Sequence, residues 1–226
     1  MTLVLALSGP ERMVLGSDSR GTFENEAGAR VEINTMKKII PVAKHVVILL
    51  YGNANEGIYL VKRFKFLNKR IDGVSNVAEG FAKFCKSEMK KTKDVPHHPN
   101  YFPNFGFIVA GLDTEGRTRI YRTPRTYNLG SVNGFRLGRP DPFGFGGKPF
   151  IALYLYAQRF QSQRTHEEML LDDMCKFVAQ CIYDTMSIDG DVGGKIHLAI
   201  IDRVGFREMP EQDVRRRIQQ WAQPLI

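Results

Sequence analysis

The chain opens with two nearly continuous apolar segments, residues 2–7 and 13–15, which are separated by the short stretch 8–11. Such unbroken apolar runs are typical of strands that are buried on both faces, because a half-exposed strand alternates with a period of two. Gly9 and Pro10 in the intervening stretch indicate a tight turn. The pattern therefore predicts a hairpin in the interior of the protein.

The same spacing of apolar residues predicts two further hairpins, two last strands and five helices. The hairpins combine predicted strands at 33–42 and 45–50 and at 105–112 and 117–123, and the last strands are at 195–202 and 205–209. Apolar residues that recur every three or four positions predict helices at 53–70, 76–92, 149–161, 167–186 and from Pro210 onward. Thr165 followed by Glu168 is a capping-box pattern for the fourth helix. The segments 94–104 and 127–147 are predicted to be irregular.

The order of these elements favours one fold class. Strands that are buried on both faces need cover on each side, and helices that come in pairs supply it. We therefore predict an α+β fold, a four-layer αββα sandwich in which two stacked antiparallel sheets lie between helical layers. No internal repeat, low-complexity tract or linker interrupts the pattern, so a single domain is expected over residues 1–226.

The charge and composition narrow the classes of partner. The formal net charge is +8, spread over several segments that carry no recognisable nucleic-acid-binding motif. Solvated helix faces explain this surplus more simply than nucleic-acid binding, which stays open as the alternative. No apolar run is long enough to span a bilayer, and the apolar opening lacks the basic flank of a signal peptide. We expect a cytoplasmic protein with no nucleic-acid or membrane partner.

The three cysteines are Cys85, Cys175 and Cys181, and all fall in predicted helices or beside them. An odd number without a secretory context argues against a disulfide framework. Cys175 and Cys181 lack the spacing of a zinc knuckle. We expect reduced cysteines that serve in packing, and neither a metal nor a cofactor.

The most informative residue for function is Thr2, directly behind Met1. A threonine at a mature N-terminus can act as its own catalytic pair, because its hydroxyl is a nucleophile and its free α-amine is a base. Removal of a methionine before a small residue such as threonine is generally expected in cells. While Met1 is attached, the Thr2 nitrogen is an amide and cannot act as a base.

Three motifs follow Thr2 in a characteristic order. They are SDSRGT at 17–22, KKII at 37–40 and LLYGNA at 49–54. In order and spacing they resemble the proteasome β-subunit family of N-terminal nucleophile hydrolases, and the order of elements extends the resemblance over almost the whole chain. The absence of a helix ahead of the first strand resembles the β type rather than the gating subunits. Among bacterial members, the HslV, Anbu and BPH groups also lack a propeptide, and the chain resembles the BPH group best.

The resemblance implies a role for five residues. Thr2 would be the nucleophile, with Lys38 beside its hydroxyl and Asp18 holding the Lys38 ammonium group. The Gly52 N–H would donate to the oxyanion of a tetrahedral intermediate, and Asp189 would support the nucleophile. Each residue also has an ordinary interpretation, as a strand residue, a turn aspartate, a solvated lysine or a glycine at a strand end.

Two departures from the family pattern bear on activity. Phe145 in the stretch GFGG stands where the family has a serine, and Val192 stands where a second supporting serine precedes a Gly-Gly pair. Both missing hydroxyls belong to the proton network rather than to the nucleophile. Their loss is compatible with a weak enzyme, a different substrate or an inactive relative.

The same register implies an apolar substrate pocket beside Thr2. Its lining would be Gly21, Met36, Ile40, Leu50, Ala54 and Ile58. A lining without charge favours a hydrophobic side chain before the scissile bond. The competing interpretation is that Met36, Ile40 and Leu50 are ordinary core residues.

The resemblance implies a homo-oligomer of stacked rings that admits peptides or unfolded polypeptides, with the helices at 149–161 and 167–186 between rings. It leaves open whether an ATP-dependent unfoldase feeds the ring. The leading hypothesis is a threonine peptidase in such a ring. The alternatives are an inactive ring subunit, favoured by Phe145 and Val192, and an amidase or acyl-transfer enzyme that uses Thr2 on a small substrate.

Overall fold

The computed structural model describes residues 2–24, 28–52, 54–93, 105–122, 142–160 and 169–221. Within these ranges the strands are β1 (Leu3–Ser8), β2 (Met13–Ser17), β3 (Gly21–Glu24), β4 (Arg30–Ile33), β5 (Ile39–Ala43), β6 (Val46–Gly52), β7 (Phe105–Leu112), β8 (Thr118–Arg122), β9 (Phe143–Gly147), β10 (His197–Asp202) and β11 (Gly205–Glu208). The helices are α1 (Ala54–Leu67), α2 (Val74–Lys93), α3 (Phe150–Phe160), α4 (Leu171–Ile188) and α5 (Glu211–Trp221). The predicted capping pair Thr165 and Glu168 and the segment 94–104 lie outside the described residues.

The first sheet is five-stranded and antiparallel, in the order β11-β10-β2-β1-β9. Every residue of β1 and β2 is buried, so the prediction of an interior hairpin is confirmed. The side chains of β1 alternate between two cores. Leu3, Leu5 and Leu7 face the helices, whereas Val4 and Ala6 face the second sheet. Full burial of each leucine contributes about 1.5–3 kcal/mol to folding.

The second sheet has the order β5-β6-β7-β8 and packs on the first through a shared apolar core. A further core joins its outer face to α1 and α2, and another joins the five-stranded sheet to α3, α4 and α5. The layers are therefore helices, sheet, sheet and helices. The predicted α+β class and the four-layer αββα arrangement are confirmed.

The prediction of one strand over residues 33–42 is wrong. The structure ends β4 at Ile33 and begins β5 at Ile39, and β3 and β4 form a separate two-stranded sheet. All four residues of β4 are exposed, so no buried apolar face marks this strand in the sequence. The break between the strands turns Lys38 into the interior.

The prediction of irregular structure is also wrong for the end of the glycine-rich segment, where β9 pairs with β1 over Phe143–Gly147. Its glycines are required by the stacking of the sheets. A Cβ on Gly144 would overlap the side chain of Ile120, and a Cβ on Gly146 would overlap the ring of Tyr51. Glycine therefore serves close packing here rather than turn formation. The remainder of the predicted segment, up to residue 141, lies outside the described residues.

None of the helices in the described part of the chain is both long and apolar enough to cross a bilayer. Cys85, Cys175 and Cys181 form no disulfide in the described part of the chain, and Cys175 and Cys181 are buried on the core face of α4. Burial raises the pKa of Cys175 to about 11.

Candidate active site

Thr2 and Asp18 meet because of the register of the first hairpin. Val4 pairs with Ser17, so the beginning of β1 lies beside the end of β2. The Thr2 hydroxyl Oγ1 donates to Asp18 Oδ1 over 3.0 Å. Thr2 is 3% exposed and Asp18 is fully buried. The nucleophile candidate and its candidate carboxylate are therefore in direct contact, away from bulk water.

The Asp18 carboxylate is the centre of the group, because both of its oxygens accept hydrogen bonds. Oδ1 also accepts from the Leu3 N–H at 2.9 Å and from Lys38 Nζ at 2.7 Å. Oδ2 accepts from the N–H groups of Arg20, at 3.2 Å, and Gly193, at 3.1 Å. A buried carboxylate is costly unless it is paired and hydrogen-bonded, and here both conditions are met.

Lys38 lies directly before β5, and its side chain is only 2% exposed. In addition to Asp18, its ammonium group donates to the Arg20 carbonyl oxygen over 2.7 Å. Burial lowers the pKa of Lys38, and the charge of Asp18 and the hydrogen bond to it oppose that lowering. The structure thus brings Thr2, Asp18 and Lys38 together, with the hydroxyl and the ammonium group on the same carboxylate oxygen.

Gly52 occupies the exposed end of β6, outside the buried group, and pairs with Phe105 of β7. Its φ of 88° lies in the left-handed region, which side chains with a Cβ avoid. A glycine here leaves the backbone open to a close approach, as an oxyanion donor requires.

Asp189 ends α4, where its own N–H donates to the Thr185 carbonyl oxygen over 2.9 Å. Its carboxylate accepts from Lys148 Nζ at Oδ2, over 2.8 Å, and from the Asp191 N–H at Oδ1, over 2.9 Å. The Lys148 hydrogen bond is the main cause that lowers the pKa of Asp189. Asp189 therefore reaches the site through Lys148 rather than through the Asp18 group.

Lys148 was missed by the interpretation of the sequence, which considered only the two serine replacements. Its backbone N–H donates to the Thr2 carbonyl oxygen over 3.0 Å. Phe145 instead packs against the helix-side core, with the Arg122 guanidinium 4.5 Å from its ring centre, and Val192 is 1% exposed in that core. A lysine that directly follows the glycine run was the available signal.

The β3–β4 hairpin is joined to the loop after α4 by charged side chains. Arg30 Nη2 lies 2.9 Å from Asp191 Oδ1 and 3.0 Å from Glu32 Oε1. Arg20 Nη1 donates to the Gly190 carbonyl oxygen over 2.5 Å. This loop also supplies the Gly193 N–H to Asp18, so the hairpin supports the site from outside.

The predicted pocket residues lie at the edge of the outer core. Met36, Ile40 and Ile58 are half-buried and pack against that core, whereas Leu50 is 1% exposed and offers almost no surface to a ligand. Gly21 is buried at the beginning of β3. Ala54 begins α1, and its side chain lies outside the described part of the structure.

Across the described ranges, no group of three or more His, Cys, Asp or Glu side chains is arranged to hold a metal ion. The chemistry that the arrangement offers is that of a hydroxyl beside a buried ion pair. Such a hydroxyl becomes a nucleophile when a base accepts its proton, and the neighbouring cation stabilises the alkoxide.

Comparison with known proteins agrees with the fold. No family model matches the chain. Over 210 residues, however, the chain is 24% identical to a protein named Proteasome subunit beta type-6 from Dictyostelium discoideum. The match covers 90% of this chain and 86% of the relative. This similarity to a proteasome β subunit agrees with the sandwich of two antiparallel sheets, an α+β architecture consistent with the fold of the N-terminal nucleophile hydrolases.

Proposed function

We propose that the protein is a threonine hydrolase that cleaves peptide bonds with Thr2 after Met1 has been removed. The observation that carries this proposal is the shared oxygen of Asp18, which accepts the Thr2 hydroxyl and the Lys38 ammonium group at 3.0 and 2.7 Å. An ordinary strand threonine does not require a buried lysine next to it. The desolvation of Lys38 is a cost that a purely structural site would avoid.

In the proposed reaction, loss of Met1 converts the Thr2 nitrogen from an amide into an amine. Thr2 Oγ attacks the carbonyl carbon of the scissile bond, and the amine takes the hydroxyl proton. The Gly52 N–H donates to the oxyanion of the tetrahedral intermediate. The amine then gives its proton to the departing amino group, which leaves an ester on Thr2. Water then attacks the ester carbon while the amine takes its proton, and the amine returns this proton to Thr2 Oγ1 as the carboxylic acid product leaves.

Lys38 has a separate task in this proposal. Its ammonium group stabilises the negative charge that develops on the threonine oxygen, and Asp18 holds the ammonium group in place. Because the pair lies in a site shielded from water, its field on the hydroxyl is stronger than it would be at the surface.

We further propose that the subunit works in a homo-oligomer of stacked rings that admits peptides or unfolded chains, in the cytoplasm, and that it belongs with the bacterial BPH group. The partly buried Met36, Ile40 and Ile58 favour a hydrophobic side chain before the scissile bond. A panel of fluorogenic peptides tests the preference. Cleavage mainly after acidic or basic residues contradicts it.

One observation favours the inactive ring subunit as a second candidate. Val192 is 1% exposed in the helix-side core, and Phe145 faces that core as well, so neither position offers the site a hydroxyl or a substitute for one. The test of activity therefore needs to distinguish an unprocessed chain from a processed but unreactive one.

The test is intact mass spectrometry before and after treatment with an epoxyketone, which needs both the hydroxyl and the free amine of an N-terminal threonine. We expect loss of the Met1 mass and then one adduct per chain. Thr2→Ala is the matched control, because alanine also permits methionine removal but has no hydroxyl. A processed wild-type chain that takes no adduct refutes the enzyme and favours the inactive subunit.

A further inference from the structure

Lys148 contacts both Thr2 and Asp189, which the Asp18 group does not join. We propose that Lys148 is a positioning residue for the reaction at Thr2: its main chain holds the nucleophile, and its ammonium group holds and neutralises Asp189 beside it. This inference rests on the proposed function and deepens it. It assigns the task of the missing serine hydroxyls to a cation at a different position of the chain.

The main-chain part of the argument begins at the end of β9. Gly147 has a φ of 93°, and a Cβ on it would overlap the Thr2 carbonyl oxygen. The next N–H, that of Lys148, donates to this same oxygen over 3.0 Å. The left-handed glycine therefore brings the backbone of Lys148 against Thr2, and fixes where the Lys148 side chain starts.

The side-chain part concerns Asp189. Lys148 Nζ lies 2.8 Å from Asp189 Oδ2 and 4.0 Å from Asp191 Oδ2, and the Lys148 side chain is 28% exposed. The charges of Lys148 and Asp189 therefore lie within one lysine side chain of the backbone that contacts Thr2. At an effective dielectric constant of about 20, one charge at a separation on the order of 10 Å shifts the pKa of an amine by about one unit.

The direction of this effect follows from the charges that surround Thr2. Among the described residues, the charged groups on the segments joined to Thr2, Asp18 and Lys148 are Asp18 and Arg20 after β2, Arg30 and Glu32 on β4, Lys37 and Lys38 before β5, Lys148 after β9, and Asp189, Asp191 and Lys195 after α4. Removal of the Lys148 charge leaves Asp189 uncompensated. The amine of processed Thr2 then keeps its proton to a higher pH, and a protonated amine cannot act as the base.

The test compares Lys148→Met with Lys148→Arg, in protein prepared with Thr2 as its first residue. Lys195→Met is the matched control, because it removes an exposed ion pair of the same 2.8 Å length, to Glu211. One readout is the pKa of the Thr2 amine, measured by NMR on protein labelled with ¹⁵N-threonine. The other is the pH dependence of kcat/KM on a fluorogenic peptide.

We expect Lys148→Met to raise the amine pKa, and the acidic limb of the kcat/KM profile, by about one pH unit. Lys148→Arg restores both, and Lys195→Met changes neither. The inference is overturned if Lys148→Met leaves the amine pKa unchanged, or if Lys195→Met shifts it equally. Because the NMR readout needs no turnover, a shifted amine in a protein without activity refutes the proposed function and leaves standing only the electrostatic effect of Lys148 on the Thr2 amine.

Discussion

Lys38 and Asp18 form an ion pair of 2.7 Å in which the side chains are 2% and 0% exposed. Desolvation of two charges offsets much of their attraction, so such a pair adds little net stability. Removal of one partner, in contrast, strongly destabilises the folded state, because the other charge stays buried without compensation. The pair is thus a requirement of the folded state as well as of the proposed chemistry.

Lys38→Met is expected to lower the free energy of unfolding by about 3–5 kcal/mol, because it leaves the Asp18 carboxylate buried and uncompensated. Urea denaturation followed by circular dichroism measures the change. The neighbouring Lys37→Met is the control, since Lys37 is 68% exposed and pairs with Glu208 over 3.3 Å at the surface. It should cost less than about 1 kcal/mol. Similar losses for the two variants would contradict the importance of the buried pair.

Gly147→Ala is expected to abolish the epoxyketone adduct, because the new methyl group displaces the Thr2 carbonyl. Its φ of 93° adds a backbone cost of about 1–2 kcal/mol. Gly116→Ala separates the two effects, since Gly116 has a φ of 78° and open space around it. This control should lose similar backbone energy and keep the adduct. An intact adduct in Gly147→Ala would show that Thr2 tolerates displacement.

Gly146→Ala is expected to lower the free energy of unfolding by about 1–3 kcal/mol, because its methyl group would press on the Tyr51 ring between the sheets. Thermal denaturation measures the loss. Gly190→Ala meets no atom within 4 Å and should be nearly neutral. Tyr51→Leu should recover part of the loss when combined with Gly146→Ala. Strict additivity of the two substitutions would argue against contact between them.

Asp189 should make stability depend on pH in the acid range. Its pKa is lowered in the folded state, chiefly by Lys148, so its stabilising contribution is full above the unfolded value of about 3.9. This contribution is lost as the pH falls through the lower folded pKa, because the protonated carboxyl no longer pairs with Lys148. Asp189→Asn should therefore lower the thermal midpoint at pH 7 and change it little at pH 2. An equal decrease at both values contradicts this assignment.

Much of the fold could be predicted because unbroken runs of apolar residues indicate buried strands. The runs at β1 and β2 and the strand β7 carry unbroken apolar patterns, and the structure places all three in the interior. The hairpin of β3 and β4 carries no such pattern. Arg30 of this hairpin forms ion pairs with Glu32 and with Asp191 on the loop after α4. A contact between residues so far apart in the chain produces no periodic pattern in the sequence.

The candidate active site, like the fold, could be predicted only in part. Asp18 and Lys38 could be placed beside Thr2 because both belong to sequence motifs whose order and spacing resemble those of the proteasome β-subunit family. Lys148 could not, because its link to Thr2 depends on the pairing of β9 with β1 across more than a hundred residues. A glycine-rich segment has the composition of a loop, and only the overlap that a Cβ on Gly144 or Gly146 would cause reveals why it is a strand.

The Asp18 carboxylate connects parts of the polypeptide that leave the ribosome at very different times. One oxygen accepts from Thr2, and the other accepts from the N–H of Gly193, 175 positions further along the chain. A nascent chain that stops short of this loop lacks the Gly193 N–H that donates to Asp18, and it lacks the strand β10 that pairs with β2. The hydrogen-bonded group around Thr2 therefore cannot be completed before the loop after α4 has been synthesised.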